Sequence, residues 1–406
     1  MKQERIVDRT SSVTLNVTAG KIDSYRKKEE TTKTVRVYRD GRIGVAGALG
    51  EADFSELTER AERALALGIP YAETSDAPLV RTERHECAVI PEGELIPTVQ
   101  TMLDRISAAC PRFALSNKVT YLQCEREYDS TDGRKLRWSD GLWNVGLIFQ
   151  NRGSGNLMDG FYEYSGRTLD ADTAVEGCRR IHDAFFTPAT LGDETELPVV
   201  FVFPEMLGCA LRHFSGERYA SGASLVSGKL GERIFSERLT LTVDRNAETS
   251  LCVPFFDDEG CVSEGDRVPL IERGVLRNVV VTKQGAARFG LPVSGTASDS
   301  AYDGVPSAGV SWLSVLPTAN SLAELVPGKA IYAFMVSGGD MTPSGHFAMP
   351  VQGAFLMENG KLVGRLPELT VSGELFDLLG DGWIGAVRGD PQPDSALCAA
   401  RMHIER

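Results

Sequence analysis

The chain has 406 residues, 42% of them hydrophobic and 24% charged, which is enough apolar material for two or three domains with proper cores. Its 43 Lys and Arg against 56 Asp and Glu give a net charge of -13, and no basic patch offsets it, so the composition argues against a direct nucleic-acid binder. The charged start MKQERIVDRTSS and the lack of any apolar run of about 18 residues predict neither a signal peptide nor a membrane helix, and eight cysteines without CxxC spacing predict reduced thiols in a cytoplasm.

Residues 12–19 alternate, with Val13, Leu15 and Val17 on one side, and 34–47 read as a hairpin turning at Asp40-Gly41. Asp53 with Glu56 forms a capping box. The helix behind it carries Leu57, Ala61, Ala64 and Leu65 on one stripe and stops at Gly68. A second helix is expected from about Thr98 to Cys110, with Val99, Met102, Leu103 and Ile106 inward and Pro111 ending it. Strands follow, turning at Asp132-Gly133 and resuming at 142–150. A third helix over 172–185 places Val175, Cys178, Ile181 and Phe185 on one face, with His182 beside them. The polar, helix-breaking stretch TPATLGDETELP marks the expected domain boundary, giving 1–192 and 193–406.

Beyond the boundary, Pro198 to Phe203 reads as a buried strand, and Pro204 stands at the first position of a helix expected over 205–214. On a 3.6-residue helix Glu205, Cys209 and His213 fall at i, i+4 and i+8, so a carboxylate, a thiol and an imidazole share one stripe. Those are metal-ligand and nucleophile chemistries. The plainer reading has Glu205 facing solvent, Cys209 as a small buried hydrophobe and His213 as a structural histidine near a helix end. Three other histidines stand apart. His85 has no second His at zincin spacing, His182 borders an apolar stripe, and His346 follows Gly345 in a glycine-rich loop.

The remainder is strand and turn: 236–245, 251–260 and 267–282 are expected strands, and Asn359-Gly360 is a type I′ hairpin signal. Its motifs occur in a telling order. Phe256-Asp257-Asp258-Glu259-Gly260 precedes Leu270-Ile-Glu-Arg-Gly-Val-Leu276, then Gly295-Thr-Ala-Ser298, Gly339-Asp340, Met349 to Phe355, and Glu358-Asn-Gly-Lys361. In that order and spacing, and with Glu205 to His213 as Glu-x7-His, the chain resembles the TldD/PmbA family, long described as modulators of DNA gyrase and related to peptidases.

The resemblance carries several implications. The fold is expected to be α+β, an N-terminal α/β domain with helices on a mixed sheet followed by a β-rich C-terminal domain with one short helix at the former metal-site position. In the TldD branch that helix bears His-Glu-x-x-x-His, which holds zinc, and a C-terminal-domain cysteine completes the site. Here Gly208 and Cys209 occupy the positions of the first His and the Glu, and VSGGDMTPSG at 336–345 has no cysteine, so the chain resembles the PmbA/TldE branch. This implies no bound metal or cofactor, with zinc only in a TldD-like partner, and a dimeric, non-catalytic subunit of a protease acting on peptides or unfolded protein. Two alternatives remain open, a stand-alone homodimeric peptide-binding protein and a peptidase rebuilt from Glu205, Cys209 and His213.

Overall fold

The computed structural model describes residues 1–309, 311–389 and 392–406; of 205, 207 and 392–395 it describes the backbone alone. The first half is a seven-stranded mixed sheet: β1 (Lys2–Thr18), β2 (Lys21–Arg39), β3 (Arg42–Leu49), β4 (Leu79–Arg84), β5 (Phe113–Ser130), β6 (Arg134–Asn151) and β7 (Gly160–Gly166). The spatial order is β3-β2-β1-β5-β6, and the far side of β6 is shared between β4, which is parallel to it, and β7, which is antiparallel. The β2–β3 turn falls at Asp40-Gly41 as expected, both residues being left-handed.

Three helices pack on this sheet. Helix α1 (Phe54–Ala64) is capped by Asp53, whose carboxylate accepts Ser55 N–H rather than reaching position 56, and a following 3₁₀ turn ends at left-handed Gly68. It approaches β3 so closely that a β-carbon on Gly44 would lie 1.9 Å from the Ala61 carbonyl oxygen. Helix α2 (Glu92–Ala109) starts well before Thr98: Leu95 is buried on the same face as Val99 and Met102, and that burial sustains a first turn through Pro97. Helix α3 (Ala171–Phe185) is capped by Asp170 and buries Cys178, Ile181 and Phe185.

The second half is built on β8 (Glu196–Val202), inside an eight-stranded sheet in which it lies between Lys329–Val336 and Gln392–Glu405. Both faces of that sheet are covered. Val199, Phe201, Ile331 and Cys398 join the C-terminal core, while Val200, Tyr332, Leu397 and Ala399 join the core of α2, α3 and the first sheet. Two-sided burial is why Pro198 to Phe203 reads as an unbroken apolar run rather than an alternation. A separate four-stranded sheet has Leu313–Val315 as one edge. The Asn359-Gly360 hairpin forms as predicted. Among the described residues no helix is long and apolar enough to cross a membrane.

Two strand expectations fail. Residues 251–260 contain no strand beyond an isolated bridge from Phe256 to Val262, and after Arg267–Glu272 only Val275–Leu276 continue in the ladder before 277–282 leave it. In the first case side chains take over the work of a ladder. Asp257 accepts the N–H groups of Glu259, Cys261 and Ala297 at 2.9, 2.8 and 3.1 Å, folding Asp257 to Gly260 into a buried turn.

That turn fastens the two halves together. Arg126 of β5 donates to Asp258 at 2.7 Å, Arg36 of β2 to the Asp258 carbonyl, and Arg134 of β6 to the Gly260 carbonyl. Tyr71 donates to Glu259 at 2.5 Å, and Lys283 donates its N–H to the other oxygen at 2.9 Å while its ammonium meets Asp76 at 2.6 Å. Gly260 is left-handed, and a β-carbon there would sit 2.5 Å from the Tyr128 ring.

Burial, with the Asp257 charge beside it, pushes the Glu259 carboxyl up to about 7. Its folded pKa therefore exceeds the ordinary value, the folded state holds the proton longer, and stability falls as pH rises from about 4.3 to 7. Glu259→Gln removes this loss while keeping an oxygen for Lys283 N–H. In thermal unfolding across that window, the midpoint of the variant minus that of the wild type should increase with pH; a constant difference would contradict the assignment.

Candidate functional site

The segment leaving β8 turns through three short helices instead of one: α4 (Phe203–Leu207), a 3₁₀ helix (Gly208–Phe214) and α5 (Gly216–Ala220). Val202 is extended and Pro204 stands in the first turn, as expected. The tighter winding alters the predicted stripe. At three residues per turn Cys209 and His213 are rotated roughly 120° apart rather than stacked. Phe203, Met206, Ala210 and Phe214 are all buried in the C-terminal core, and Val280 pins the exit, its N–H donating to Phe214 O at 2.7 Å. The Glu205 side chain lies outside the described residues.

His213 is 3% exposed. Its Nδ1 accepts the Leu225 N–H at 3.2 Å, and its carbonyl accepts the Ser224 hydroxyl at 2.6 Å. An accepting Nδ1 places the ring proton on Nε2, which is buried without a partner. A protonated Nε2 has no lone pair to offer a metal. Burial, with Arg212 and Arg218 adding positive charge, holds the imidazole below its ordinary pKa and keeps it neutral. Cys209 is half-buried against the core, and burial raises its thiol pKa despite the nearby Arg212.

The glycine-rich segment expected to face this helix does so. Arg212 Nη2 donates to Met341 O at 3.0 Å, and Asp340 is near enough to oppose ionisation of Cys209. Three other histidines have their own surroundings. His346 is exposed at the start of a strand with Ser344 Oγ 3.2 Å from Nδ1; His182 packs edge-on to Phe113; His85 sits 3.5 Å from Glu83. Among the described residues no three His, Cys, Asp and Glu side chains are grouped to hold a metal ion.

The open space lies elsewhere. One cavity of about 460 Å³ is walled by Arg36, Arg126 and Arg245 with Asp257, Asp258 and Trp138. A second, of about 590 Å³, is walled by Phe203 and Pro204, the edge strand Leu313–Val315 and Arg388. Neither includes Cys209 or His213. Trp312 lines both cavities, 46% exposed and held in the left-handed region at φ 60°. Sequence reading missed these walls. Arg36 alternates with Val35 and Val37 and so reads as solvent-facing, yet it is buried on the turn side of β2. Three acidic residues directly behind Phe255-Phe256 were the available signal that the turn is internal.

Residues 195–405 match the family model described as PmbA/TldA metallopeptidase C-terminal domain, and 6–68 match that of domain 1. A protein of Archaeoglobus fulgidus named metalloprotease is 23% identical over 404 residues, covering 93% of this chain and 91% of that one. A zinc metalloprotease TldD homolog of Saccharolobus solfataricus is 28% identical over 193 residues, 45% of this chain and 42% of the relative. The crystal structure of TldE from Thermococcus kodakarensis has a TM-score of 0.78 at 20% identity, covering 100% of this chain and 96% of that one, a likeness of fold.

The lowered pKa of His213 makes an acid-labile contribution: stability is complete above the ordinary value of about 6.5 and is lost as pH falls below it toward the folded pKa. His213→Gln can still accept the Leu225 N–H but does not titrate. The wild type should therefore lose thermal midpoint relative to this variant as pH is lowered from about 7.5 to 5.5. His213→Ala, which strands that N–H, should cost roughly 1–3 kcal/mol by denaturant titration at neutral pH.

Proposed function

Since the chain belongs to the PmbA/TldA metallopeptidase family, we propose that it is a metal-free, non-catalytic subunit of a TldD/PmbA-type protease. A zinc-bearing, TldD-like chain would be its partner, and peptides or unfolded protein the substrate. The observation that carries this reading is the Leu225 N–H bond to His213 Nδ1, which leaves the one remaining family histidine without a free ligand atom. A hydrolytic zinc centre takes about three protein ligands, an open position for water and a base. With Gly208 and Cys209 where the catalytic branch has His and Glu, and two cationic side chains acting on the imidazole, the residues present do not fit that centre.

The same features weigh against a rebuilt peptidase. Cys209 has a raised thiol pKa, and the imidazole that would activate it is turned into the core. What the chain offers instead is a surface. Among the described residues Leu313–Val315 is paired on one side only, with Leu241–Asp244, and it borders the 590 Å³ cavity. An unpaired strand edge captures extended backbone with little regard to sequence, which suits a subunit that admits peptides. Eight unpaired thiols suit a reducing cytoplasm.

The test is elemental analysis of the chain purified without chelators or a histidine tag, alongside peptide hydrolysis with and without a TldD-like partner. The expected result is zinc far below one per chain, no hydrolysis alone, and co-elution with the partner accompanied by cleavage above that of the partner alone. About one zinc per chain, reduced by Cys209→Ala, would sink the proposal.

A further inference from the structure

We propose that Cys124 and Cys252 form a dithiol that hydroperoxides convert to a disulfide, joining the N-terminal sheet to the loop that precedes the buried acidic turn. The two residues are far apart in sequence, and a cross-strand arrangement brings them together. Cys124 in β5 is directly opposite Asp140 in β6, so the thiol and the carboxylate project from the same face of the sheet. Arg167 holds that carboxylate through a two-point contact at 2.8 and 2.7 Å, and its Oδ2 accepts the Cys252 N–H at 2.9 Å. The backbone of Cys252 is thus anchored over Cys124, and both side chains pack against the same cluster of Tyr128, Trp138, Phe255 and Phe256.

Access and reactivity follow from the surroundings. Both thiols line the 460 Å³ cavity and both are partly exposed, whereas Cys110, Cys178 and Cys398 are buried. Cys252 sits in the left-handed region at φ 53°, sparsely populated by residues other than glycine, which aims its side chain from a loop rather than a strand. Of these adjacent thiols Cys124 is held below its ordinary pKa and Cys252 above it, an order in which Cys124 attacks first; exchanging the two roles gives the same disulfide.

The chemistry balances with hydrogen peroxide as oxidant, and with an organic hydroperoxide an alcohol replaces the first water. The Cys124 thiolate attacks one peroxide oxygen, the O–O bond breaks, and the departing hydroxide takes up a proton as water, leaving a sulfenic acid. Cys252 gives up its proton and attacks the Cys124 sulfur; the S–O bond breaks, a second water leaves, and the S–S bond forms. Two thiols are oxidised and one peroxide is reduced to two waters.

Hydrogen peroxide added to the reduced, full-length chain tests this by intact mass and non-reducing peptide mapping. The expected result is a loss of about 2 Da per chain, from two hydrogens, with one linked peptide pair joining Cys124 and Cys252 and reversal by dithiothreitol. Cys124→Ser and Cys252→Ser should each abolish the loss, while Cys87→Ser, which removes the third thiol near Asp140, should keep it. A bond mapped to any other pair, gain of oxygen without loss of hydrogen, an unchanged mass, or persistence of the loss in Cys124→Ser would overturn the proposal. The wild-type peptide map decides the pairing even if a serine variant fails to fold.

Discussion

Burying Asp257, Asp258 and Glu259 between the two halves is the constraint on which the rest of the molecule depends. Three adjacent carboxyl groups cannot leave water unless each finds donors or counter-charges, and breaking a buried pair typically costs about 3–5 kcal/mol. Here the donors come from both halves, Arg36 from β2, Arg126 from β5 and Tyr71 from the first, and Lys283, bound to Asp76, from the second. The turn therefore fixes the position of the N-terminal sheet relative to the loops of the second half. That position in turn creates the cavity between them, since Arg36, Arg126, Asp257 and Asp258 are both the fastening and the cavity wall.

The central sheet supplies the second connection. Because β8 and its neighbours are buried on both faces, the core of α2 and α3 continues directly into the second half through Val200, Tyr332 and Leu397. A cut at residue 192 falls between sheets but not between cores. Removing the first half would expose the face that bears Val200, Tyr332, Leu397 and Ala399, and removing the second would uncover α2 and α3, so neither half buries its apolar surface alone.

What was legible in the sequence is what local chemistry decides. Asp40-Gly41 and Asn359-Gly360 turn where they should because a two-residue hairpin requires positive φ at both positions, and Gly68 ends its helix for the same reason. Elements decided by distant partners were not legible. The second helix was expected from about Thr98, yet Leu95 finds a place in a core assembled from several strands, and the helix extends backward to reach it. Residues 251–260 alternate like a strand, but nothing in their order reveals that Asp257 will accept three main-chain N–H groups in place of a ladder. The candidate site failed in the same way. A stripe of Glu205, Cys209 and His213 assumes 3.6 residues per turn, whereas Gly208–Phe214 winds as a 3₁₀ helix tied at its exit to the distant Val280.

That winding bears on how His213 serves a structural role. Gly208 and Cys209 stand where the TldD-type motif has a His ligand and the Glu base, and a buried imidazole must find some partner or leave the interior. His213 has found Leu225 N–H, at the expense of an unpartnered Nε2, and two arginines now act on it where a divalent ion would have been repelled. Phe203 and Pro204 open onto a cavity whose lining does not include His213, where Leu313–Val315, paired on one side among the described residues, supplies backbone groups and Trp312 also lines the arginine-walled cavity. In the proposed assembly, chemistry belongs to the partner, and this chain contributes an edge along which an extended peptide can be held.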